Sequence, residues 1–302
     1  MINQDQKNPS NQKVGVIGLG LMGTPMCQQM YNSGIDLYIW NRNSQRSRKL
    51  SEKLKLVTVC KTPAEVALNC DIIITMVTDA TAVEAIVFGK SGIAEGCRDN
   101  SLLIDMGTTS VIQTRNFSER LSEMGGNWVD APVSGGTTAA ENGSLTIMAG
   151  GRKESFNRAL PFLKIMGERI TYVGGVGAGQ IAKSANQMIV GLTIGAVAEA
   201  FALARHNGVE PEKIREALFG GFAHSRILEL HGERMIKEDY APRAKCSIQR
   251  KDISEAIELA NSVNLSLPSL ATNMKLWDYM IENGLEDLDH SALLLAIDPP
   301  TS

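Results

Sequence analysis

The sequence predicts an α/β protein with an N-terminal doubly wound parallel sheet, a long interdomain helix and an all-helical C-terminal domain. Strand-like and helical segments alternate as far as Gly174-Gly175, and repeated units of this kind build a parallel sheet. From Gly177 onward every segment has helical character. We therefore predict domains over 13–175 and 176–302, preceded by a flexible polar tail over 1–12.

The N-terminal half alternates short apolar stretches with helical ones. The strand-like stretches are rich in β-branched residues and cover 14–17, 37–40, 56–59, 71–77, 101–106, 128–129, 144–149 and 170–173. The helical stretches between them are 24–32, 43–53, 63–68, 80–88, 110–124 and 153–164. Ligands of such sheets bind beyond the carboxyl ends of the strands, so we expect the site at the loops that follow them.

Residues 177–207 form the longest helical stretch, without proline and rich in Ala, Leu, Ile and Met. About thirty residues at ~1.5 Å each give a rod of ~45 Å. The segment 188–204 is apolar on almost every face, as in a central core helix or a membrane span. Its apolar run is shorter than the ~20 residues a bilayer needs, and Glu199 interrupts it. We predict a buried core helix and no membrane partner.

Shorter helices complete the C-terminal domain. They are predicted at 211–219, 225–237, 247–263 and 268–282, with a short helical piece after Asp289.

Composition and charge exclude several function classes for this chain of 302 residues. Its formal net charge is −3 and its Lys and Arg residues are scattered, which argues against a nucleic-acid partner. Its five cysteines contain no C-x-x-C pair, and its histidines lack metal-ligand spacing. We therefore expect a reducing cytoplasmic location, neither disulfides nor a metal, and no secretory signal.

A glycine-rich motif follows the first strand and opens the first helix. It consists of Gly18, Leu19, Gly20, Leu21, Met22 and Gly23, in the G-x-G-x-x-G pattern. The first glycine permits a tight turn, the second admits a pyrophosphate and the third lets helix and strand pack closely. The helix start then receives the negative charge of the phosphates. The motif predicts a Rossmann-type dinucleotide site, and a glycine-rich turn without a ligand is the alternative.

The second strand ends in Asn41, Arg42 and Asn43. NAD-binding domains place an acidic residue here to hold the ribose 2′-hydroxyl, whereas an arginine accommodates a 2′-phosphate. The pattern therefore favours NADP as cofactor, with NAD second. A surface role for Arg42 is the alternative.

Further polar loops follow the later strands. Met76 and Val77 end the fourth predicted strand and Thr78 follows it, while Gly107 and Thr108 follow the fifth. Pro132 precedes a turn that we call the anion turn, made of Ser134, Gly135 and Gly136. Its hydroxyl and bare backbone N–H groups suit a small anion such as a substrate carboxylate. A plain surface turn is the alternative.

Three polar residues lie near the start of the long helix. Lys183, Asn186 and Gln187 stand at i, i+3 and i+4 and so share one face. Buried amides and a buried ammonium need solvent or polar partners. The face is therefore either a solvated helix end or part of an active site, in which Lys183 is a proton donor.

Four motifs in this order resemble the β-hydroxyacid dehydrogenase family, which includes 3-hydroxyisobutyrate dehydrogenase. They are GLGLMGTPM (18–26), DAPVSGGTTAAENGSLTIMAGG (130–151), GAGQIAKSANQ (177–187) and RKDISEA (250–256). The resemblance extends over 14–297, and Asn186-Gln187 and the segments 220–223 and 289–293 resemble its tartronate semialdehyde reductase branch. It implies the predicted fold, a homodimer or homotetramer, and a small carboxylate as substrate.

The resemblance also assigns roles to individual residues. Lys183 corresponds to the family's catalytic lysine, and the anion turn corresponds to the substrate carboxylate site, with Asn186 and Gln187 beside it. Lys251 corresponds to a lysine that reaches toward the cofactor. The positions that line the nicotinamide and its ribose correspond to Val77, Thr78 and Thr108, and Met76 is expected to bind the cofactor beside them.

Two positions depart from the family pattern near the expected substrate. Gly107 replaces a serine, and Ala244 lies where many relatives have phenylalanine. The particular acid therefore stays open among tartronate semialdehyde, 3-hydroxyisobutyrate and glyoxylate or succinic semialdehyde.

The predicted reaction is reversible hydride transfer between NADP(H) and a small β-hydroxyacid or its semialdehyde. Lys183, as ammonium, would stabilise the charge that develops on the carbonyl oxygen and then donate a proton to it. Three other hypotheses about the function stay open at this point. They are a 6-phosphogluconate-type decarboxylating dehydrogenase, an imine reductase, and an NADPH-binding protein without chemistry.

Overall fold

The computed structural model describes residues 12–55 and 57–299. The predicted tail lies outside the described residues, apart from Gln12. The chain divides into two compact units, one ending at Lys183 and the other beginning at Ser184. The predicted boundary between 175 and 176 lies shortly before this division and stays a prediction.

The first unit contains a nine-stranded sheet with the order β3-β2-β1-β4-β5-β6-β8-β7 and with β9 beside β8. Its strands are β1 (Lys13–Ile17), β2 (Asp36–Trp40), β3 (Val57–Val59), β4 (Ile72–Thr75), β5 (Leu102–Asp105), β6 (Asn127–Asp130), β7 (Val133–Ser134), β8 (Leu145–Gly151) and β9 (Gly167–Gly174). All pairings among β1 to β6 are parallel, as predicted.

The far edge of the sheet is mixed, which the sequence pattern did not predict. Strand β8 runs antiparallel to β6 and β7, and β9 runs parallel to β8. Ala131 and Pro132 separate β6 from β7, and Pro132 has no N–H to contribute to a ladder. The interruption divides two strands that run in the same direction, and the anion turn begins at the end of the second of them.

Helices cover both faces of the sheet. They are α1 (Gly23–Asn32), α2 (Ser44–Lys53), α3 (Pro63–Asn69), α4 (Ala80–Phe88), α5 (Ile93–Gly96), α6 (Val111–Glu123), α7 (Gly136–Glu141) and α8 (Lys153–Met166). The two helices that the sequence analysis did not predict, α5 and α7, are the shortest. Helices this short lack the two full turns that a periodic apolar pattern needs.

Alternate residues of the central strands pack into two different cores. On β4, Ile72 and Ile74 pack on one face while Ile73 packs on the other. Helices α1, α2 and α8 cover the first face, and α3, α4 and α6 cover the second. Burial on both faces is typical of parallel strands in a doubly wound sheet and explains their continuous apolar runs.

The second unit is helical. Helix α9 (Ala178–His206) leads into it, and the helices that follow are α10 (Pro211–Leu218), α11 (Arg226–Lys237), α12 (Cys246–Ser262) and α13 (Pro268–Glu282), with a 3-10 helix at His290–Ala296. Its core gathers Ile194 and Phe201 of α9 around Trp277 of α13. The observed bounds of these helices differ from the predicted bounds by at most one or two residues.

Helix α9 is only partly buried. Its length and composition would allow it to cross a membrane, and half of its most apolar window is buried inside the structure. Ile194 and Phe201 lie in the core, but Ile189 and Leu203 are 68% and 69% exposed. The expectation of a helix buried on every face is thus wrong for one apolar face, while the core role is retained.

Candidate active site

The glycine-rich loop, residues 18–23, joins β1 to α1 with almost no free space around its first and last glycines. Gly18 has a φ of +98°, and a Cβ there would lie 2.3 Å from the carbonyl oxygen of Met76. A Cβ on Gly23 would lie 1.9 Å from the carbonyl oxygen of Gly18. These two positions therefore require glycine for the turn and for helix–strand packing.

Gly20 is different, because the space in front of it is open. The nearest atom to a Cβ on Gly20 would be Nη1 of Arg46, at 3.9 Å. Met22, the N-cap of α1, makes no side-chain cap hydrogen bond within the described residues. The first turn of the helix and the bare backbone at Gly20 therefore fit a pyrophosphate, which needs both N–H donors and close approach.

The end of β2 supports the glycine-rich loop and presents a cation. The side-chain oxygen of Asn41 accepts the Leu19 N–H at 2.9 Å, and its amide donates to the Asn43 carbonyl. Asn43 caps α2 through the Gln45 N–H. Arg42 lies exposed between these two asparagines. The guanidinium of Arg42 is therefore accessible beside a fixed loop.

The loops after β1, β4 and β5 meet at one edge of the sheet. A Cβ on Gly18 would lie 3.1 Å from Val77, and one on Gly107 would lie 2.6 Å from the Val77 carbonyl oxygen. The predicted cofactor positions Met76, Val77 and Thr78 therefore lie beside the glycine-rich loop. A Cβ at Gly107 would therefore have to displace the Val77 backbone.

We call residues Gly107, Thr108 and Thr109 the β5 loop. A buried carboxylate supports it from below: Asp105 accepts hydrogen bonds from the hydroxyls of Thr75 at 2.9 Å and Thr109 at 3.1 Å. Burial raises the pKa of Asp105 to about 6, while these hydrogen bonds and one from the Gly107 N–H act in the opposite direction. The β5 loop is thus held in one conformation, with Thr108 at its half-exposed tip.

The anion turn lies at a junction between a strand and a helix. Ser134 ends β7, Gly136 begins α7, and Gly135 between them has a φ of +129°. A Cβ on Gly135 would lie 2.5 Å from the Cβ of Ala139, whereas nothing lies within 4 Å of one on Gly136. Both glycines are exposed. Bare backbone of this kind suits a carboxylate, and the substrate-binding role of the anion turn stays a prediction.

Lys183 lies in the second turn of α9 and is only 7% exposed. One turn earlier, the side chain of Gln180 donates to the Gly107 carbonyl at 2.8 Å and accepts the Thr109 N–H at 3.2 Å. The first turn of α9 therefore packs on the β5 loop. A lysine this deeply buried does not fit the alternative of a fully solvated helix end.

Asn186 and Gln187 belong to the second unit, where they join α9 to α12. The Gln187 amide donates to Asp252 at 2.6 Å and to Gln249 at 3.1 Å, and its oxygen accepts from Asn186 at 2.8 Å. Gln249 returns a hydrogen bond to the Gln187 carbonyl. The substrate-binding role of Gln187 stays a prediction, and these contacts show that it also orients Asn186.

Lys251 and Ala244 also lie in the second unit. Nζ of Lys251 lies 3.1 Å from Asp252 and 3.5 Å from Glu255. Burial lowers the pKa of Lys251, but the two carboxylates outweigh it and the pKa is raised overall. The lysine is therefore charged, as a cofactor contact requires. Ala244 is exposed and held by its backbone, with its N–H on Asp289 and its carbonyl accepting from His290.

Sequence reasoning missed Asp105, Asp130, Gln180 and Arg46. The acids end strands β5 and β6, and a buried acid directly after apolar strand residues is a signal that the sequence offers. Arg46 lies one turn beyond Arg42, with Nη1 3.5 Å from the Leu19 carbonyl, so it adds positive charge beside the glycine-rich loop. Gln180 gave no signal, since its partners are distant in the chain.

Two family models match the chain. The NAD binding domain of 6-phosphogluconate dehydrogenase matches residues 13–174. The model described as NAD-binding of NADP-dependent 3-hydroxyisobutyrate dehydrogenase matches residues 177–297. The second match covers the helical part, where a 6-phosphogluconate-type enzyme would differ.

Individual relatives agree with these matches. The chain is 42% identical to 2-hydroxy-3-oxopropionate reductase of Escherichia coli, over 95% of this chain and 97% of that protein. It is 32% identical to glyoxylate/succinic semialdehyde reductase 1 of Arabidopsis thaliana, over 94% and 98%. A crystal structure of 3-hydroxyisobutyrate dehydrogenase from Salmonella typhimurium has a TM-score of 0.84 at 26% identity, covering 94% of this chain and 99% of that one.

The fold, the glycine-rich loop and these similarities define an NAD(P)-dependent oxidoreductase that acts on hydroxyacids. The chain belongs to the 3-hydroxyisobutyrate dehydrogenase-like family of β-hydroxyacid dehydrogenases. The predicted fold class and family are confirmed.

Proposed function

We propose that this protein is an NADPH-dependent reductase of small β-semialdehyde acids, with tartronate semialdehyde (2-hydroxy-3-oxopropionate) reduced to glycerate. The observation that carries the proposal is the burial of Lys183. This lysine lies one helical turn after Gln180, whose side chain is hydrogen-bonded to the β5 loop. The substrate is suggested by the 42% identity to a reductase of that name.

The proposed chemistry assigns one task to each group of residues. Bound NADPH supplies the hydride that reduces the aldehyde carbon. Lys183 stabilises the negative charge that develops on the carbonyl oxygen and donates a proton from Nζ to it. The anion turn binds the substrate carboxylate through backbone N–H groups and the Ser134 hydroxyl, which fixes the orientation of the carbonyl. Asn186, oriented by Gln187, hydrogen-bonds the substrate hydroxyl.

The glycine-rich loop and the end of β2 would hold the cofactor. Gly20, Leu21 and Met22 would offer backbone N–H groups to the pyrophosphate, between the close-packed Gly18 and Gly23. Leu19, whose N–H donates to Asn41, would line the cofactor site. Val77, Thr78 and Thr108 would line the nicotinamide and its ribose, Met76 would bind the cofactor beside them, and Lys251 would contribute a positive charge. Asn41, Arg42 and Asn43 would bind the adenosine ribose and its phosphate.

The wild-type protein is expected to prefer NADPH over NADH by at least roughly tenfold in kcat/KM. Arg42→Ala is expected to remove most of this preference. A charge-assisted hydrogen bond to the 2′-phosphate supplies a factor of this size, and NADH has no such phosphate. Steady-state rates with both cofactors measure the effect. Arg48→Ala, an exposed arginine further along α2, is the matched control and should keep the preference. Equal rates of the wild-type protein with the two cofactors would contradict the choice of NADPH.

Gly135→Val is expected to raise KM for the acid substrate by at least roughly tenfold, while the Kd of NADPH stays nearly constant. The added Cβ meets Ala139 at 2.5 Å and the φ of +129° suits only glycine, so the anion turn must move. Substrate titration and NADPH fluorescence separate the two effects. Thr138→Ala, exposed on the same helix, should change neither. An equal loss of NADPH affinity would assign the turn to the cofactor site or to folding.

The proposed partners are a small carboxylate substrate and further copies of this chain. An apolar row on α9 supports a homodimer or homotetramer, because Ile189, Ala196 and Leu203 are exposed on one face of a helix whose other side is buried. A cytoplasmic location stays a prediction.

A panel of semialdehydes tests the substrate. The oxidation of NADPH is followed with tartronate, methylmalonate and succinic semialdehydes and with glyoxylate. We expect the highest kcat/KM for tartronate semialdehyde. A higher value for methylmalonate semialdehyde would instead assign a 3-hydroxyisobutyrate dehydrogenase, and the absence of turnover with all four would leave only NADPH binding.

A further inference from the structure

The start of α9 is anchored on a buried carboxylate. Asp130, at the end of β6, accepts the Gly177 N–H at 2.8 Å with one oxygen and the Gln180 N–H at 3.0 Å with the other. Both are N–H groups that a helix start leaves without an intrahelical acceptor. A carboxylate also interacts favourably with the positive end of the helix dipole. Asp130 therefore fixes the position and direction of the first turn.

The side chain of Gln180 extends this anchor to the β5 loop. It is 1% exposed, and both ends of its amide are used. Nε2 donates to the Gly107 carbonyl at 2.8 Å, and Oε1 accepts the Thr109 N–H at 3.2 Å. One amide thus spans the loop on either side of Thr108, which is the position expected to line the nicotinamide.

The surrounding backbone leaves no room for α9 to shift. A Cβ on Gly179 would lie 2.4 Å from the Met148 carbonyl oxygen and 2.8 Å from Oδ2 of Asp130. A Cβ on Gly150 would lie 2.7 Å from the Gly179 nitrogen. Helix and sheet are therefore in direct backbone contact at this point, and Lys183 follows one turn later on the same helix.

We propose that Gln180 is a positioning residue, which holds the β5 loop and the Lys183 ammonium in a fixed relative geometry for proton and hydride transfer. The proposal rests on the proposed function of Lys183. Gln180 touches neither substrate nor reacting atoms, and it acts through the loop on one side and through the helix on the other. Rigid support of this kind matters because small displacements of reacting groups cost large factors in rate.

The test uses Gln180→Met, which keeps the length of the side chain but forms neither hydrogen bond. Hydrogen exchange of the β5 loop amides is measured without ligand, since the Thr109 N–H donates to Gln180. We expect faster exchange in the variant, a kcat lowered about 10- to 100-fold, and a larger isotope effect on kcat with deuterated NADPH. The isotope effect rises because poor alignment makes hydride transfer rate-limiting.

Phe162→Leu, a core substitution on α8, is the control for lost stability. This control is compared with Gln180→Met at a similar loss of Tm. It should leave the hydrogen exchange of the β5 loop and the isotope effect on kcat unchanged. If Gln180→Met does not fold, Gln180→Ala replaces it, because the shorter side chain also forms neither hydrogen bond to the β5 loop.

Unchanged loop exchange, or a kcat loss with an unchanged isotope effect, would overturn the positioning role. A wild-type protein that does not oxidise NADPH with any small semialdehyde would instead refute the proposed function, and the positioning role in catalysis would fall with it. The exchange measurement on the free protein distinguishes these two failures.

Discussion

Lys183→Ala is expected to lower kcat by ~10²–10⁴, which is the range that general acid catalysis contributes. This corresponds to ~2.7–5.4 kcal/mol of lost transition-state stabilisation. The loss arises because no other group would supply both the positive charge near the carbonyl oxygen and the proton that it requires. Steady-state turnover, together with an NADPH titration, measures the effect.

Two further variants separate charge from proton donation. Lys183→Met keeps the apolar stem of this buried side chain and removes the charge, so it should lose as much kcat as alanine with less effect on Tm. Lys183→Arg keeps the charge but donates poorly, because a guanidinium stays protonated under ordinary conditions, so it should also be slow. All three variants should retain NADPH affinity. A near-normal kcat in Lys183→Ala would refute the proton-donor role.

Gly20→Val should reduce NADPH affinity by at least ~100-fold, or ~2.7 kcal/mol, while the protein folds normally. The site of the new side chain is open in the free protein, where its nearest neighbour lies at 3.9 Å. We propose that the pyrophosphate approaches the backbone in this same space, so the valine should block cofactor binding without disturbing folding. Calorimetric titration and a thermal melt measure the two quantities.

Two other glycines serve as comparisons. Gly23→Ala should lower Tm as well as affinity, since its Cβ meets a backbone oxygen at 1.9 Å. Gly175→Ala, with nothing within 4 Å, should change neither quantity. A Gly20→Val protein that binds NADPH as tightly as the wild type would show that the cofactor does not approach this loop.

The parts of the fold that sequence could predict are those that short-range patterns determine. The glycine-rich loop is a local motif, and its role was deduced from the strand before it and the helix after it. Strands β4 and β5 were evident because burial on both faces gives continuous apolar runs. The antiparallel edge is not predicted, because the chain reverses between β7 and β8 through the short helix α7, which has no periodic signal in the sequence.

The candidate site was predictable only in part for a similar reason. Lys183 and the anion turn stand in recognisable local motifs. Gln180 contacts a loop residue 73 positions away, and its N–H meets Asp130 across 50 positions, so no local pattern relates them. Likewise Gln187 was expected at a substrate, and its partner Asp252 is 65 positions away. Tertiary hydrogen bonds of this kind require the folded backbone.

The most direct test of the central claim follows the hydride itself. The protein is incubated with tartronate semialdehyde and NADPH carrying deuterium at the transferable position of the nicotinamide, and the product is analysed by mass spectrometry. We predict glycerate with one deuterium on the former aldehyde carbon, formed by the wild-type protein and formed far more slowly by Lys183→Met. Glycerate without deuterium, or no glycerate beyond a protein-free control, would contradict the account.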